Sequence, residues 1–478
     1  MFDNYIYGNQ NAVWLYMGQN PLVIKDVPDL ISKMSYIKEK FSYVQDLPVA
    51  WARDLDTYLL GIGALMAEDI ASKTEAEVWD FINRTTTLGI EYFKPNIAIS
   101  ITQSMLYKVF TYILITIAGP TQGKHLFDAL IATSETKTAL VNRELYALAK
   151  IVKNDAKIND IIHKNTSKEI ISQNMLGQFA DFYKEFRKFL STHGHRETDF
   201  DAYIPTWVEA PNVVLDNIRL IVDTLEKENP RNDEYEAKYA TQKAEAELFA
   251  KTPQQLHLFL YELIRLVRTY TSLDDIEHYQ TMRLTLPIRK GAKALGLLLK
   301  KKEIVQEEMD VFFAHIESLD GYISGKKSAQ ELKIEIEIEK SAYLKNKERT
   351  PAWELNAVSP QFAAAEGETT LVGVAGSPGE VEGTVFIIRS TEDFSSFPKN
   401  AVLVARTTNP AWTPLFYNAC AVITESGGAL SHGAVTAREM KLPAVMSVRG
   451  VLNKLKNGQR VRVDGSNGTV FLIDQRIE

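Results

Sequence analysis

Through the first 350 or so positions, apolar residues recur every three or four places; beyond that they fall into short β-branched runs divided by glycine. The first pattern is the period of an amphipathic helix and the second that of strands and turns. Helices are expected over 29–41, 54–72, 74–88, 170–190, 211–228, 237–250, 253–271, a long stretch around 279–302, and a charged helix over 328–346. Strands are expected over 371–374, 381–388, 401–405, 421–424, 444–446, 460–464 and 469–473, with short helices after His432 and over 451–455. Glycine marks the same division. Residues 1–366 hold 13 of the 25 glycines and the last 112 residues hold 12, about three times the density.

These patterns divide the chain into a mostly α-helical domain over 1–358, a linker over 359–370 and a compact β/α domain over 371–478. Twelve extended linker residues reach roughly 40 Å, a useful span for a domain that must swing. Within the helical part, Asn229–Asp233 reads as a turn. Thr252 reads as an N-cap with Pro253 at the first helical position. No internal repeat or low-complexity tract is evident.

At 478 residues the chain is long enough for two or three domains with their own cores. A net charge of −7 gives no support to nucleic-acid binding. The single cysteine, Cys420, rules out an intrachain disulfide and a cysteine-based zinc site, and its apolar surroundings read as a buried small hydrophobe. The N-terminus lacks a charged segment followed by an apolar core, and apolar runs such as Tyr112–Ala118 are short for a bilayer span. A cytoplasmic location and no membrane partner are the expectation.

The most informative stretch runs from Thr424 to Glu439: an apolar strand, the double-glycine turn Gly427-Gly428, then Ser431 and His432 opening a helix. Glycines let a phosphate approach the backbone, and a helix N-terminus favours negative charge. An ordinary histidine has a pKa of about 6.5, so at neutral pH its ring is mostly available as a nucleophile. The alternative is a satisfied histidine beside a plain turn. The surrounding residues closely resemble the phosphohistidine (swivelling) domain of phosphoenolpyruvate synthase, pyruvate phosphate dikinase and rifampicin phosphotransferase. Thr407-Thr408-Asn409-Pro410-Ala411-Trp412-Thr413-Pro414-Leu415-Phe416 upstream, and Leu442–Val445, Gly458–Gly465 and Gly468–Val470 downstream, extend the likeness from about 373 to 474. It implies that His432 accepts a phosphoryl or pyrophosphoryl group at one site and delivers it at another, with Ser431, Gly427 and Gly428 accommodating the phosphate.

The densest polar cluster of the helical part is His193-Gly194-His195-Arg196-Glu197-Thr198-Asp199, followed by Trp207. Two histidines beside carboxylates can ligate a metal, but there is no clear third ligand, and no metal is assigned. A neutral imidazole can take a hydroxyl proton and an arginine fork can hold phosphate oxygens, which suits His195 and Arg196. This stretch is similar to the helical substrate domain of rifampicin phosphotransferase-like proteins, with three departures. His193 stands in place of the usual tyrosine, the acidic pair is compressed, and Thr206 stands in place of the arginine before Trp207. The likeness, over roughly 50–350, makes Arg283, Arg289 and Trp207 candidates for contact with the acceptor. Taken singly, each basic residue is more readily explained as a surface ion-pair partner.

Family members also carry an ATP-grasp domain or a phosphoenolpyruvate-binding barrel, and neither pattern is present. Gly119-Pro120-Thr121-Gln122-Gly123-Lys124-His125 has three residues between its glycines where a nucleotide loop needs four, and lacks the closing Ser or Thr. The expectation is one component of a split dikinase-type phosphotransferase. In it, an ATP-grasp kinase subunit acting in trans phosphorylates His432, using ATP and Mg2+ that this chain itself does not bind. His432 then passes phosphate to a small acceptor, aromatic or hydroxylated, in the helical domain. Tyr107, Phe110, Tyr112, Phe179, Phe182, Tyr183 and Trp207 suit such an acceptor or, equally, a hydrophobic core. The alternative is a phosphohistidine carrier or regulatory protein whose helical part only docks partners.

Overall fold

The computed structural model describes residues 24–40, 42–197, 201–223, 225, 234–347, 369–389, 391–408, 412–428 and 431–473. The part from Val27 to Lys347 is helical, and the part from Thr370 to Leu472 holds all the strands described, with the short helices Thr413–Asn418, His432–Glu439 and Val451–Lys454 among them. The expected linker falls outside the described residues except for Thr369 and Thr370, and so does the expected turn at Asn229–Asp233.

The helix predicted over 74–88 does begin at a capping box. Thr74 accepts from the Glu77 amide while the Glu77 carboxylate takes the Thr74 amide at 2.8 Å. It then runs on to 44 residues, Glu75–Ala118, and stops at Gly119, whose φ of 81° suits glycine. Pro120 opens the next helix, Pro120–Ile131, so the glycine-rich stretch rejected as a nucleotide loop is a helix–helix joint. By length and composition the 44-residue helix is the one among the described residues that can cross a bilayer, which qualifies the expectation that no run is long enough. Here it packs against the Gln254–Thr281 helix, burying Leu106, Tyr107, Phe110, Ile113 and Leu114 with Leu256, Leu260 and Tyr270.

Other boundaries moved for local reasons. The single helix expected over 170–190 is two, Ser167–Ser172 and Ala180–His193, because Asn174 turns the chain with a φ of 48°. Pro253, with extended ψ, is itself the N-cap of Gln254–Thr281, while the Thr252 hydroxyl bonds back to the Leu248 carbonyl. That helix continues ten residues past its expected end and passes through a 3-10 turn, Met282–Leu284, into Thr285–Lys301.

The C-terminal part is one mixed sheet. Its strands are β1 (Thr370–Val372), β2 (Val374–Ser377), β3 (Glu380–Ile388), β4 (Ala401–Ala405), β5 (Ala419–Thr424), β6 (Ala444–Met446), β7 (Arg460–Asp464) and β8 (Thr469–Leu472), in the spatial order β1-β8-β7-β3-β4-β5-β6-β2. Strands β3 to β6 are parallel and the remaining pairs antiparallel. Every residue of β4 is buried, as expected for a strand covered on both faces. One face packs on Val451, Leu452 and Leu455.

The other face carries Trp412, Leu415, Phe416, Ala434 and Ala437, and its apolar cluster continues into Phe186, Leu215 and Ile218 of the helical domain. The Thr413–Asn418 helix lies against the Pro211–Val222 helix. Lys399 Nζ donates to the Asp223 carbonyl, and Arg438 Nε sits 3.7 Å from Asp128. The β/α domain is therefore seated on the helical domain.

Candidate functional site

Strand β5 delivers the chain to Thr424, whose hydroxyl donates to the Ser426 carbonyl at 2.7 Å and tightens the turn. Gly427 follows with a φ of 104°, and a Cβ there would lie 2.9 Å from Ser431. Gly428 has no atom within 4 Å of such a Cβ. Ser431 holds the N-cap position of the His432–Glu439 helix, but its hydroxyl bonds to the Gly428 carbonyl at 2.8 Å instead of capping. The first-turn amides are thus not occupied by the Ser431 side chain, and they carry the positive end of the helix dipole. Gly433 lets the helix start close to Thr408, whose hydroxyl would sit 2.4 Å from an added Cβ.

His432 lies at this N-terminus and faces the helical domain. Its Nε2 is 3.1 Å from Thr436 Oγ1, one turn on, while its buried Nδ1 has no hydrogen-bond partner among the described residues. Burial, with the positive charges of Arg196 and His278, pushes its pKa down to about 3. The ring is therefore neutral across the physiological range.

The opposing residues come from the loop after Ala180–His193 and from the last turns of Gln254–Thr281. Arg196 is almost completely buried. Its guanidinium lies over Trp207 at 4.9 Å, and its Nε has no hydrogen-bond partner among the described residues. Burial lowers its pKa to about 10, against the pull of Asp275 and Glu197, so it remains a cation at neutral pH. His195 is buried with Nε2 3.0 Å from the Tyr279 carbonyl. A carbonyl can only accept, so Nε2 carries the proton and Nδ1 the lone pair. Burial, with Arg283 and Arg196, holds this ring well below the usual histidine range. His193 Nδ1 lies 2.7 Å from Tyr279 Oη and its Nε2 3.0 Å from a Glu144 carboxylate oxygen, while the Tyr279 hydroxyl donates to the Thr192 carbonyl at 3.0 Å. The two histidines thereby clamp Tyr279, and with it the end of the long helix, to the loop that carries Arg196.

Of the residues singled out from sequence, Gly427, Gly428, Ser431 and His432 belong to one turn and helix start, Arg196 acts on His432, and His195 adjoins Arg196 in its loop. Arg283 bonds Gln280 at 2.7 Å, lies over the Tyr279 ring at 5.7 Å and exerts its charge on His195. Trp207 is buried, stacked on Phe189 at 6.1 Å, and is the platform under Arg196. Arg289 is not among the groups acting on His432. Its buried guanidinium is engaged by Glu209 and by the Ala202 and Tyr203 carbonyls, each at 2.7 Å. Thr198 and Asp199 lie outside the described residues, as do Ala429 and Leu430. The aromatic residues Tyr107, Phe110, Phe182 and Trp207 sit in the hydrophobic cores. Cys420 is half-buried rather than buried. No group of three or more potential ligands is arranged to hold a metal ion among the described residues.

Sequence reasoning missed His278, Tyr279 and Thr436. The signal for His278 was the run Asp274-Asp275-Ile276-Glu277-His278, three carboxylates leading into a histidine. Ending one helix at 271 and starting another at 279 left that run in an assumed gap.

The structure joins a β/α domain, which presents a neutral histidine at a helix N-terminus, to a helical domain, which sets a buried arginine against it. Family comparisons agree for both parts. Residues 397–468 match the mobile domain of phosphoenolpyruvate-utilising enzymes, and residues 92–275 match the fourth domain of rifampicin phosphotransferase. The chain thus resembles rifampicin phosphotransferase in its helical part and phosphoenolpyruvate-utilising enzymes in its β/α part. It is 27% identical over 398 residues to an uncharacterised phosphotransferase, YvkC, of Bacillus subtilis, a match covering 77% of this chain and 47% of that protein. It is 25% identical over 301 residues to the rifampicin phosphotransferase of the same organism, covering 59% of this chain and 33% of that protein. Its similarity to the phosphoenolpyruvate synthase of Aeropyrum pernix is 40% over 110 residues, covering 23% of this chain and 13% of that protein. The chain thus spans about half the length of the first of these relatives and less of the others.

Proposed function

We propose that this chain carries a phosphoryl group on His432 and delivers it to a small hydroxylated acceptor in the helical domain. The observation that carries this reading is a pair of buried, unsatisfied atoms, His432 Nδ1 and Arg196 Nε, on the two sides of one docked interface. Leaving buried polar atoms unpaired costs about 1–3 kcal/mol each, and a phosphoryl group supplies both the negative charge and the acceptor oxygens that Arg196 lacks.

In the charging step the neutral imidazole attacks phosphorus, a P–N bond forms and the P–O bond to the nucleotide breaks. In the delivery step the acceptor oxygen attacks phosphorus, the P–N bond breaks and its electron pair returns to the His432 ring. The hydroxyl proton passes to the lone pair of His195 Nδ1. Arg196 steadies the charge on the transferring group, and Ser431 with the Gly427-Gly428 turn leaves it space at the helix N-terminus. An ATP-grasp kinase acting in trans supplies the phosphoryl group, with ATP and Mg2+ handled there.

The test uses ATP labelled separately at its β and γ positions, with and without an ATP-grasp protein from the same source. Acid-labile label on this chain only with the partner supports a split phosphotransferase, and the labelled position tells phosphoryl from pyrophosphoryl transfer. Label on the chain alone overturns the need for a partner. No label under either condition overturns ATP as the donor.

A further inference from the structure

We propose that the cavity between residues 68–71 and the Thr285–Lys301 helix binds an apolar carboxylate, and that its occupancy is transmitted through Lys293 and Glu209 to the loop that carries Arg196. The site lies wholly in the helical domain and involves neither His432 nor its phosphorylation.

On the Thr285–Lys301 helix, positions 290, 293, 294, 297, 298 and 301 recur at three- and four-residue spacing and so share one face. That face lines a cavity of about 550 Å3, a size that suits a small organic molecule. Its other wall is the chain leaving the Tyr43–Ala67 helix, from Glu68 to Ala71. Lys290 fixes that wall in place. Its Nζ donates to the Leu65 carbonyl at 3.1 Å, to the Met66 carbonyl at 2.8 Å and to the Glu68 carbonyl, so all three ammonium protons close the end of the helix.

The lining combines two chemistries. Ile70, Ala71, Ala294 and Leu298 supply apolar surface, and Leu297 stays 47% exposed between Lys293 and Lys301, four residues to either side. The carboxylates of the lining already have partners. Arg84 takes both oxygens of Glu68, at 3.0 and 3.1 Å, and Lys73 adds a third contact. Asp69 accepts from the Ala71 amide at 3.0 Å. The lysines differ. Lys300 and Lys302 pair with Glu307 and Glu75 at 2.8 Å, whereas Lys301 between them has no hydrogen bond or ion pair among the described residues. An unpaired ammonium beside an exposed leucine, at the mouth of a cavity with apolar walls, fits a ligand with an apolar body and a carboxylate end.

Lys293 joins this cavity to the loop of Arg196. Its ammonium engages one oxygen of Glu209, whose other oxygen accepts from Arg289 and, at 3.0 Å each, from the Thr206 amide and hydroxyl. The next residue, Trp207, donates its amide to the Arg196 carbonyl at 2.8 Å and lies under the Arg196 guanidinium. Direct contacts therefore run from the cavity wall to Arg196. A carboxylate entering the cavity competes with Glu209 for Lys293, and Glu209 is then left with Arg289 and Thr206.

The test titrates the full chain with octanoate, and with butyrate and octan-1-ol, which lack the long apolar body and the charge respectively. Calorimetry is expected to show octanoate binding on the order of tenfold or more tightly than butyrate, from the extra methylenes buried. Lys301→Gln is expected to weaken octanoate about two- to fivefold, the range of an exposed ion pair, and to leave octan-1-ol unchanged. Leu297→Gln is expected to weaken both. With 15N-labelled tryptophan there are 6 indole signals, and that of Trp207 is expected to shift with the same midpoint as octanoate binding. At saturation the shift is lost in Lys293→Gln. Absence of octanoate binding, or equal affinity in wild type, Lys301→Gln and Leu297→Gln, overturns the site. A Trp207 signal that stays still at saturation, or moves equally in Lys293→Gln, overturns the route to Arg196.

Discussion

His195 is a structural support and, in the proposed reaction, also the base. Its Nε2–H holds the Tyr279 carbonyl, which frees Nδ1 as a base whose neutrality burial guarantees. Replacing it with alanine leaves that carbonyl unpaired, so His195→Ala is expected to lower stability by about 1–3 kcal/mol in urea unfolding. The same variant is expected to keep label on His432 while losing its passage to the acceptor. Loss of labelling itself would place His195 in the charging step or in folding. The sequence exposed this residue because its neighbours, His193 and Arg196, are dense polar chemistry on an otherwise apolar stretch. It did not expose the separate fate of Arg289, because an arginine on a helix reads alike whether it meets a ligand or, as here, Glu209 and two backbone carbonyls.

The turn before His432 makes a sharper contrast at the level of the element. Gly427 has a φ of 104° and would press an added Cβ against Ser431 at 2.9 Å, whereas Gly428 faces open space. Gly427→Ala is therefore expected to cost about 1–3 kcal/mol, and Gly428→Ala to stay within about 1 kcal/mol of wild type, by urea midpoints at constant slope. Equal effects would mean that the turn relaxes and does not fix the entry of the helix. The strands were largely legible because apolar runs between glycines have few alternatives; β4, β6 and β7 fall where the pattern put them. The helical domain was less legible. Strong local signals such as Thr74 marked where helices start, but polar residues within a continuing helix look the same as those in a loop. Glu75–Ala118 and Gln254–Thr281 both run past polar interruptions because tertiary packing holds them.

Across the whole molecule, docking joins the two domains through one apolar cluster and places His432 where a proton is costly. A histidine released to solvent titrates near 6.5, and docked it titrates at about 3, so the open form binds more protons between those values. Docking is thus fully favoured above pH 6.5 and weakens as pH falls toward 3, on the order of 1–2 kcal/mol lost by pH 5. The carboxylates that raise His278 belong to its own helix and travel with it, so they do not reverse this acid limb. Small-angle scattering is expected to show the unmodified chain expanding from pH 7 to pH 5, with His432→Gln much less responsive. An equal response in both would assign the acid sensitivity elsewhere, for instance to His193 and His195, which burial also holds neutral. No sequence pattern displays this coupling, since it arises only when residues far apart in the chain, such as Arg196 and His432, are brought together.

The most direct measurement of the central claim is the location of an acid-labile phosphate on the chain after incubation with labelled ATP and the ATP-grasp partner. Label mapped to the peptide containing His432, and absent from a folded His432→Ala variant, is the expected result. Label persisting at the wild-type level in that variant would contradict the account.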